Sequence, residues 1–127
     1  DRTCFWDGIL NRLTEEDFKQ FHIEKPKNRE FVLFLKKHNQ QTNHVTWNNE
    51  LLTKKQLEEN FTHIKEFDVN TIGGGYFCST FEPFLFLVSQ LFQVNLNHNY
   101  CGHMIQYRIN EKDRILQFSS NQSHFNI

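Results

Sequence analysis

Alanine does not occur in this chain, and glycine and proline appear only 5 and 2 times in 127 residues. The missing alanine, set against 14 phenylalanines and a similar abundance of asparagine, fits an A/T-rich coding sequence and points to a virus, an intracellular bacterium or a protist. No linker and no internal repeat interrupts the chain, so its length suits a single domain over residues 1–127. A basic excess is also lacking: the formal net charge of -1 excludes the electrostatic footprint of a nucleic-acid-binding surface. The longest apolar run, 84–92, falls short of the roughly 20 residues that a membrane span needs, which predicts no membrane association. The amino end shows neither the basic nor the apolar region of a secretory leader. Three cysteines at irregular spacing, Cys4, Cys78 and Cys101, are an odd number that argues against a disulfide framework. They imply a reducing compartment, the cytoplasm, or the host cytoplasm for a viral or effector protein. Sequons at Asn60 and Asn121 read as chance matches in so Asn-rich a chain.

Aromatic residues fill 15% of positions although the mean hydropathy is only -0.65, and large rings bury enough surface to build a core without alanine. Phe5, Ile9 and Leu13 recur at four-residue steps, predicting a helix that opens at Cys4. Thr14 followed by Glu15, Glu16 and Asp17 starts a second short helix, which should end before Pro26. A third helix is read from Asn28 to about His38 on the apolar face of Phe31, Val32, Leu33 and Leu35, with Lys36 and Lys37 suiting its C-terminal end. Residues 39–50 read as a polar surface loop anchored only by Val45 and Trp47. Thr53 and Gln56 form a capping box for a fourth helix, with Leu57, Phe61 and Ile64 on its face and an end near Phe67.

The glycine cluster 73–75 marks a tight turn or a close backbone approach. Ser79 and Glu82 suggest another capping box, opening a central helix to about Phe92 with Pro83 tolerated in its first turn. From Val94 onward the period changes to two, in segments near 94–97, 104–109, 114–118 and 123–127, with 110–113 as a turn. Helices first and strands last predict an α+β domain, its helical N-terminal part packed on a small antiparallel sheet.

Among candidate reactive groups, Cys4 stands out because the N–H groups and dipole of a helix start favour a thiolate. Taken alone, a cysteine between Thr and Phe reads first as a small buried hydrophobe. A nucleophile needs a base, and of seven histidines the late-sheet His103 and His124 are the best placed by sequence. Asn126 lies two residues after His124, on the same face of an extended strand, where its amide oxygen can orient the imidazole. A Cys-His-Asn triad is therefore available. His98, Cys101 and His103 offer no known zinc spacing, so no metal is expected. The triple glycine lacks the Lys and Ser/Thr of a phosphate loop, and no cofactor is expected.

These residues carry a resemblance. Asp1-Arg2-Thr3-Cys4-Phe5-Trp6 resembles the Asp-x-x-Cys-aromatic box of the ovarian-tumour (OTU) cysteine proteases, which cleave ubiquitin chains. The helix from Arg29, the order of Gly73-Gly74, Glu82 and the run 87–96, and the closing His124-Phe125-Asn126 are similar to later elements of that family over nearly the whole chain. Ile72 stands where the family usually has Trp, and Arg2 and Thr3 depart from the common Gly-Asn. The resemblance implies a papain-like OTU fold and a thiol protease of the ubiquitin conjugation pathway, acting in host-virus interaction if viral. It implies Cys4 as nucleophile, His124 as general base, Asn126 as its orienting partner, and Asp1 as a residue that helps orient the histidine or shape the oxyanion hole. Backbone N–H groups of residues 1–4 would line that hole, each donor commonly worth about 3 kcal/mol.

A rival resemblance links 3–13 to the cysteine box of ubiquitin-specific and viral papain-like proteases, and Gly102-His103 with 115–119 to their histidine box. There His103 is the base and Ser119 takes the place of the orienting Asp. The expected activity is a cysteine-dependent deubiquitinase, or ubiquitin thioesterase, with ubiquitin, ubiquitin-like proteins and ubiquitinated host proteins as partners and a monomeric state. Its alternatives are a polyprotein-processing protease based on His103 and a catalytically silent ubiquitin-binding module.

Overall fold

A computed structural model of the chain describes residues 3–109 and 113–120. Helices come first: α1 Cys4–Arg12, α2 Glu15–Lys19 and α3 Asn28–Lys37. A short hairpin follows, β1 Val45–Trp47 and β2 Glu50–Leu51, then α4 Lys54–Glu66, a 3-10 segment Val69–Gly74 and α5 Pro83–Phe92. Three strands close the described chain: β3 Asn95–Tyr100, β4 His103–Ile109 and β5 Ile115–Ser120. The architecture is α+β with one five-stranded sheet in the order β2-β1-β4-β3-β5.

Several local expectations hold for reasons visible in the side chains. Thr14 and Asp17 form a reciprocal capping box on α2, as Thr53 and Gln56 do on α4. Lys36 does more than suit its own helix end, because its Nζ donates to the carbonyls of Ile64, Lys65 and Phe67 and so caps the C-terminus of α4.

The sheet differs from the expected antiparallel one in two ways. Residues 39–50 are not all loop: Val45 is buried and pairs with Ile109, while Asn48 and Asn49 turn the chain with positive φ of 48° and 69°. Paired positive φ values make the tight turn whose twist matches a hairpin, and asparagine tolerates them. Further, β5 runs parallel to β3. The outer edge of β4 is already occupied by β1, and β5 pairs instead with the other side of β3. The expected turn at 110–113 and terminal strand at 123–127 fall wholly or mainly outside the described residues.

Register assigns the sheet faces. Tyr107, Leu96 and Leu116 lie opposite one another, as do Ile105, His98 and Phe118, so one face is apolar and meets the helices. The other face carries Asn97, Gln106, Arg108, Gln117 and Ser119. Helix α5 is buried on every side, and aromatic groups gather along it. Phe84 meets Trp6 and Phe67 at its start, Phe86 meets Tyr107 and Phe81 in the middle, and Phe92 meets Phe18 and Phe34 at its end.

The start of α5 departs from expectation in an informative way. Its N-cap is Glu82 rather than Ser79. The Glu82 carboxylate is fully buried and accepts the N–H of Ser79 at 3.0 Å, the N–H of Phe84 at 3.0 Å and the hydroxyl of Tyr76 at 2.8 Å. Its own N–H donates to the Tyr107 hydroxyl at 3.0 Å. Tyr76 in turn meets His63 Nε2 at 3.0 Å. Burial lifts the Glu82 carboxyl to about 7, against the lowering effect of these donors. When protonated, its hydroxyl can donate to Tyr76 and Tyr76 to His63, so no group in the chain of bonds loses its partner.

The folded carboxyl titrates above the unfolded value of about 4.3, so its contribution is present in full at low pH and is lost as pH rises through about 7. Because the lowered His98 acts in the opposite sense and is common to both proteins, the quantity to read is the difference: between pH 4.5 and pH 8 the urea-unfolding stability of wild type relative to Glu82→Gln should fall by roughly 3 kcal/mol. Parallel pH profiles for the two proteins would contradict the assignment.

Candidate active site

Cys4 is the first residue of α1 and is half-buried, followed by the buried Phe5, Trp6 and Ile9. Thr3 precedes it as N-cap; its carbonyl accepts the N–H of Asp7 and its hydroxyl donates to the Asp7 carboxylate at 2.6 Å. Asn28 donates to the other carboxylate oxygen of Asp7, tying the first turn of α1 to the start of α3. Asp1, Arg2, His124 and Asn126 lie outside the described residues.

Two sets of contacts orient α1 along β5. At its end, Arg12 donates from Nε to the carbonyl of Gln117 and stacks 4.9 Å over the ring of Phe118. Arg114, before β5, donates to the carbonyl of Arg12 and pairs with Asp17 at 2.6 Å. Burial raises the Asp17 carboxyl, but the Arg114 and Thr14 hydrogen bonds outweigh it and hold Asp17 below its ordinary range. At the start of α1, Phe5 and Trp6 pack on Tyr76, with ring centroids 4.7 and 5.2 Å apart. Two residues beyond Tyr76, Cys78 Sγ lies 3.6 Å from Ser120 Oγ, at the end of β5. The helix of Cys4 is thus tied at its C-terminal end to the middle of β5 and to Arg114 just before it, and at its N-terminal end, through the 76–78 segment, to Ser120.

The sequence alone gives little sign of the cluster around Ser120. His98, fully buried on β3, meets Ser120 Oγ at 2.6 Å through Nε2, and the same nitrogen lies 3.8 Å from Cys78 Sγ. Burial pushes the His98 ring down to about 4 and the Cys78 thiol up to about 11, so both are neutral near pH 7. This is a hydrogen-bonded neutral cluster rather than a thiolate-imidazolium pair. The one hint in the sequence is a histidine at an apolar-face position between Leu96 and Tyr100.

His103 opens β4 on the surface, directly opposite Tyr100. Ser119 pairs with Asn99, whereas Tyr100 pairs with Ser120, so Ser119 and His103 lie on opposite faces of the sheet and are separated by β3. The residues proposed to act together in the rival resemblance are therefore not brought together. His98, Cys101 and His103 also do not converge: His98 is buried, and Cys101 sits in the exposed turn, with φ of 50° followed by 88° at Gly102. Among the described residues no group of three or more His, Cys, Asp or Glu is placed to hold a metal ion.

The glycine cluster makes a turn rather than a close approach. A Cβ on Gly73 or Gly74 would meet nothing within 4 Å, while Gly75 ends the 3-10 segment at φ of 92°. No helix among the described residues is long and apolar enough to cross a membrane. Comparison of the chain with protein-family models, with curated protein sequences and with solved structures finds no match.

The environments of Cys78 and Cys101 predict different reactivities. At pH 8 the folded protein should take up iodoacetamide at exposed Cys101 and not at Cys78, where about a thousandth of the thiol is ionised. Peptide mass mapping after a short exposure reads the outcome, and equal labelling of both residues would refute the buried, neutral state of Cys78.

Proposed function

We propose that the chain is a cysteine-dependent isopeptidase of the OTU type that removes ubiquitin or a ubiquitin-like protein from its conjugates. The observation that carries this reading is the double tether of α1, which brings the half-buried Cys4 helix start and the end of β5 to the same 76–78 segment. Ser120, the last residue of β5, precedes His124 by only four residues, a stretch that can span about 13 Å when extended. That reach is compatible with a base supplied from the carboxyl end.

In this reading Cys4 Sγ gives its proton to His124 and attacks the carbonyl carbon of the terminal glycine of the modifier. The oxyanion is held by N–H groups of the turn before α1, to which Asp1 contributes shape, and His124 hands a proton to the departing lysine amine. Water then attacks the thioester carbonyl, giving its proton to His124; the C–S bond breaks and that proton returns to Cys4 Sγ, with Asn126 fixing the imidazole. Phe77 is 80% exposed between Tyr76 and Cys78 and offers an apolar contact to a bound peptide tail. The separation of His103 from Ser119 counts against the polyprotein-protease alternative, which needs them as base and orienter.

The test is reaction with ubiquitin bearing a C-terminal electrophile. Wild type should form a covalent adduct, Cys4→Ala none, and His124→Ala a reaction slowed by about 100-fold or more, with His103→Ala close to wild type. An adduct that persists in Cys4→Ala would remove the nucleophile assignment. Loss of reaction in His103→Ala, with His124→Ala unaffected, would transfer the role of base to His103. Ubiquitin binding without any adduct would leave a silent binding module.

A further inference from the structure

A base at His124 has to be aimed at Cys4 from the carboxyl side of β5, where Ser120 sits in a cluster of polar side chains. Among the described residues β5 is the outermost strand and is hydrogen-bonded to β3 alone. Edge strands fray at their ends unless something beyond the ladder holds them. Ser120 is held three ways: its hydroxyl meets His98 Nε2 at 2.6 Å and Cys78 Sγ at 3.6 Å, and its carbonyl accepts the N–H of Cys101 at 3.0 Å. Those partners belong to β3, to the segment that packs on α1, and to the turn before β4.

Stability alone does not call for this chemistry. Ser120 and His98 lie on the apolar face of the sheet, where an apolar pair of similar size would be about as stable or more so. Directional hydrogen bonds add something that apolar contact does not, because apolar contact tolerates sliding and a bond of 2.6 Å to a fixed ring does not. His98 is itself fixed, being fully buried between the neighbours of a central strand.

We infer that Ser120 is a positioning residue for the proposed reaction: its clamp on His98, Cys78 and Cys101 fixes the point from which the chain continues toward His124. The clamp joins that point to the 76–78 segment, and Tyr76 of the same segment packs on Phe5 beside the nucleophile. A single hydroxyl therefore links the strand that leads to the base with the helix that carries the thiol. The inference rests on the assignment of Cys4 and His124 made above.

The experiment compares wild type, Ser120→Ala, Ser120→Thr and Cys78→Ala on ubiquitin carrying a C-terminal fluorogenic amide, with thermal unfolding of each. Misplacement of a catalytic group by about an ångström costs on the order of 100-fold, so Ser120→Ala should lower kcat by roughly tenfold to a hundredfold. KM should change by less than about twofold, because the clamp touches no substrate. Ser120→Thr, which keeps the hydroxyl, should recover most of kcat, and Cys78→Ala, which removes one partner of Ser120, should show a smaller loss of the same kind. If Ser120→Ala is unfolded at the assay temperature, Cys78→Ala and Ser120→Thr carry the same comparison. Unchanged kcat in both alanine variants, or a fall in kcat that Ser120→Thr does not rescue, would overturn the inference while leaving the isopeptidase reading intact. A wild type that neither turns over the amide nor forms the covalent adduct would remove both.

Discussion

A carboxylate with no solvent exposure stands at the head of the most buried helix, and the placement of the candidate site depends on it. Glu82 takes N–H groups from both sides of the turn into α5 and a hydroxyl from Tyr76, while its N–H reaches Tyr107 in β4. An unsatisfied carboxyl there would cost several kcal/mol, so the surrounding backbone is obliged to keep this geometry. The aromatic packing along α5 then follows from where the helix is pinned.

Tyr76 is the link from this cap to the candidate chemistry. Its hydroxyl is fixed by Glu82 and His63, and its ring is wedged against Phe5, Trp6, Phe67 and Phe84. The first turn of α1, and with it Cys4, is thereby held against a segment that the buried cap has already made rigid. From the same segment Cys78 reaches Ser120 and His98, so helix start, sheet edge and central strand share one short connection. A thiol presented in this way has a defined place relative to the end of β5, which is what a base arriving from the carboxyl end requires.

The helices were readable because each carried its own local signal. The carboxylates that follow Thr14, the Thr53-Gln56 box, the apolar steps from Phe5 to Leu13 and the density of apolar residues around α5 are contained within a few residues of sequence. What escaped the sequence was set by distant partners. Val45 and Trp47 became a strand because β4 offered an edge, and β5 became parallel because that same edge was taken. Glu82 looked like the far end of a capping box with Ser79, and only the folded arrangement shows it as the cap itself, with Tyr76 and Tyr107 coming from elsewhere. Cys4 was legible as a candidate from its place at a helix start. The His98-Ser120-Cys78 cluster was not, because its members are separated by 20 residues or more and meet only through the strand register.

The proposed chemistry depends above all on which imidazole faces the Cys4 thiol. A crystal structure of the chain trapped on a ubiquitin electrophile would measure the distance from Cys4 Sγ to each histidine nitrogen. The expected result is a nitrogen of His124 within about 4 Å, with the Asn126 side chain on the other nitrogen of the ring. His103 in that place, or no histidine within that reach, would contradict it.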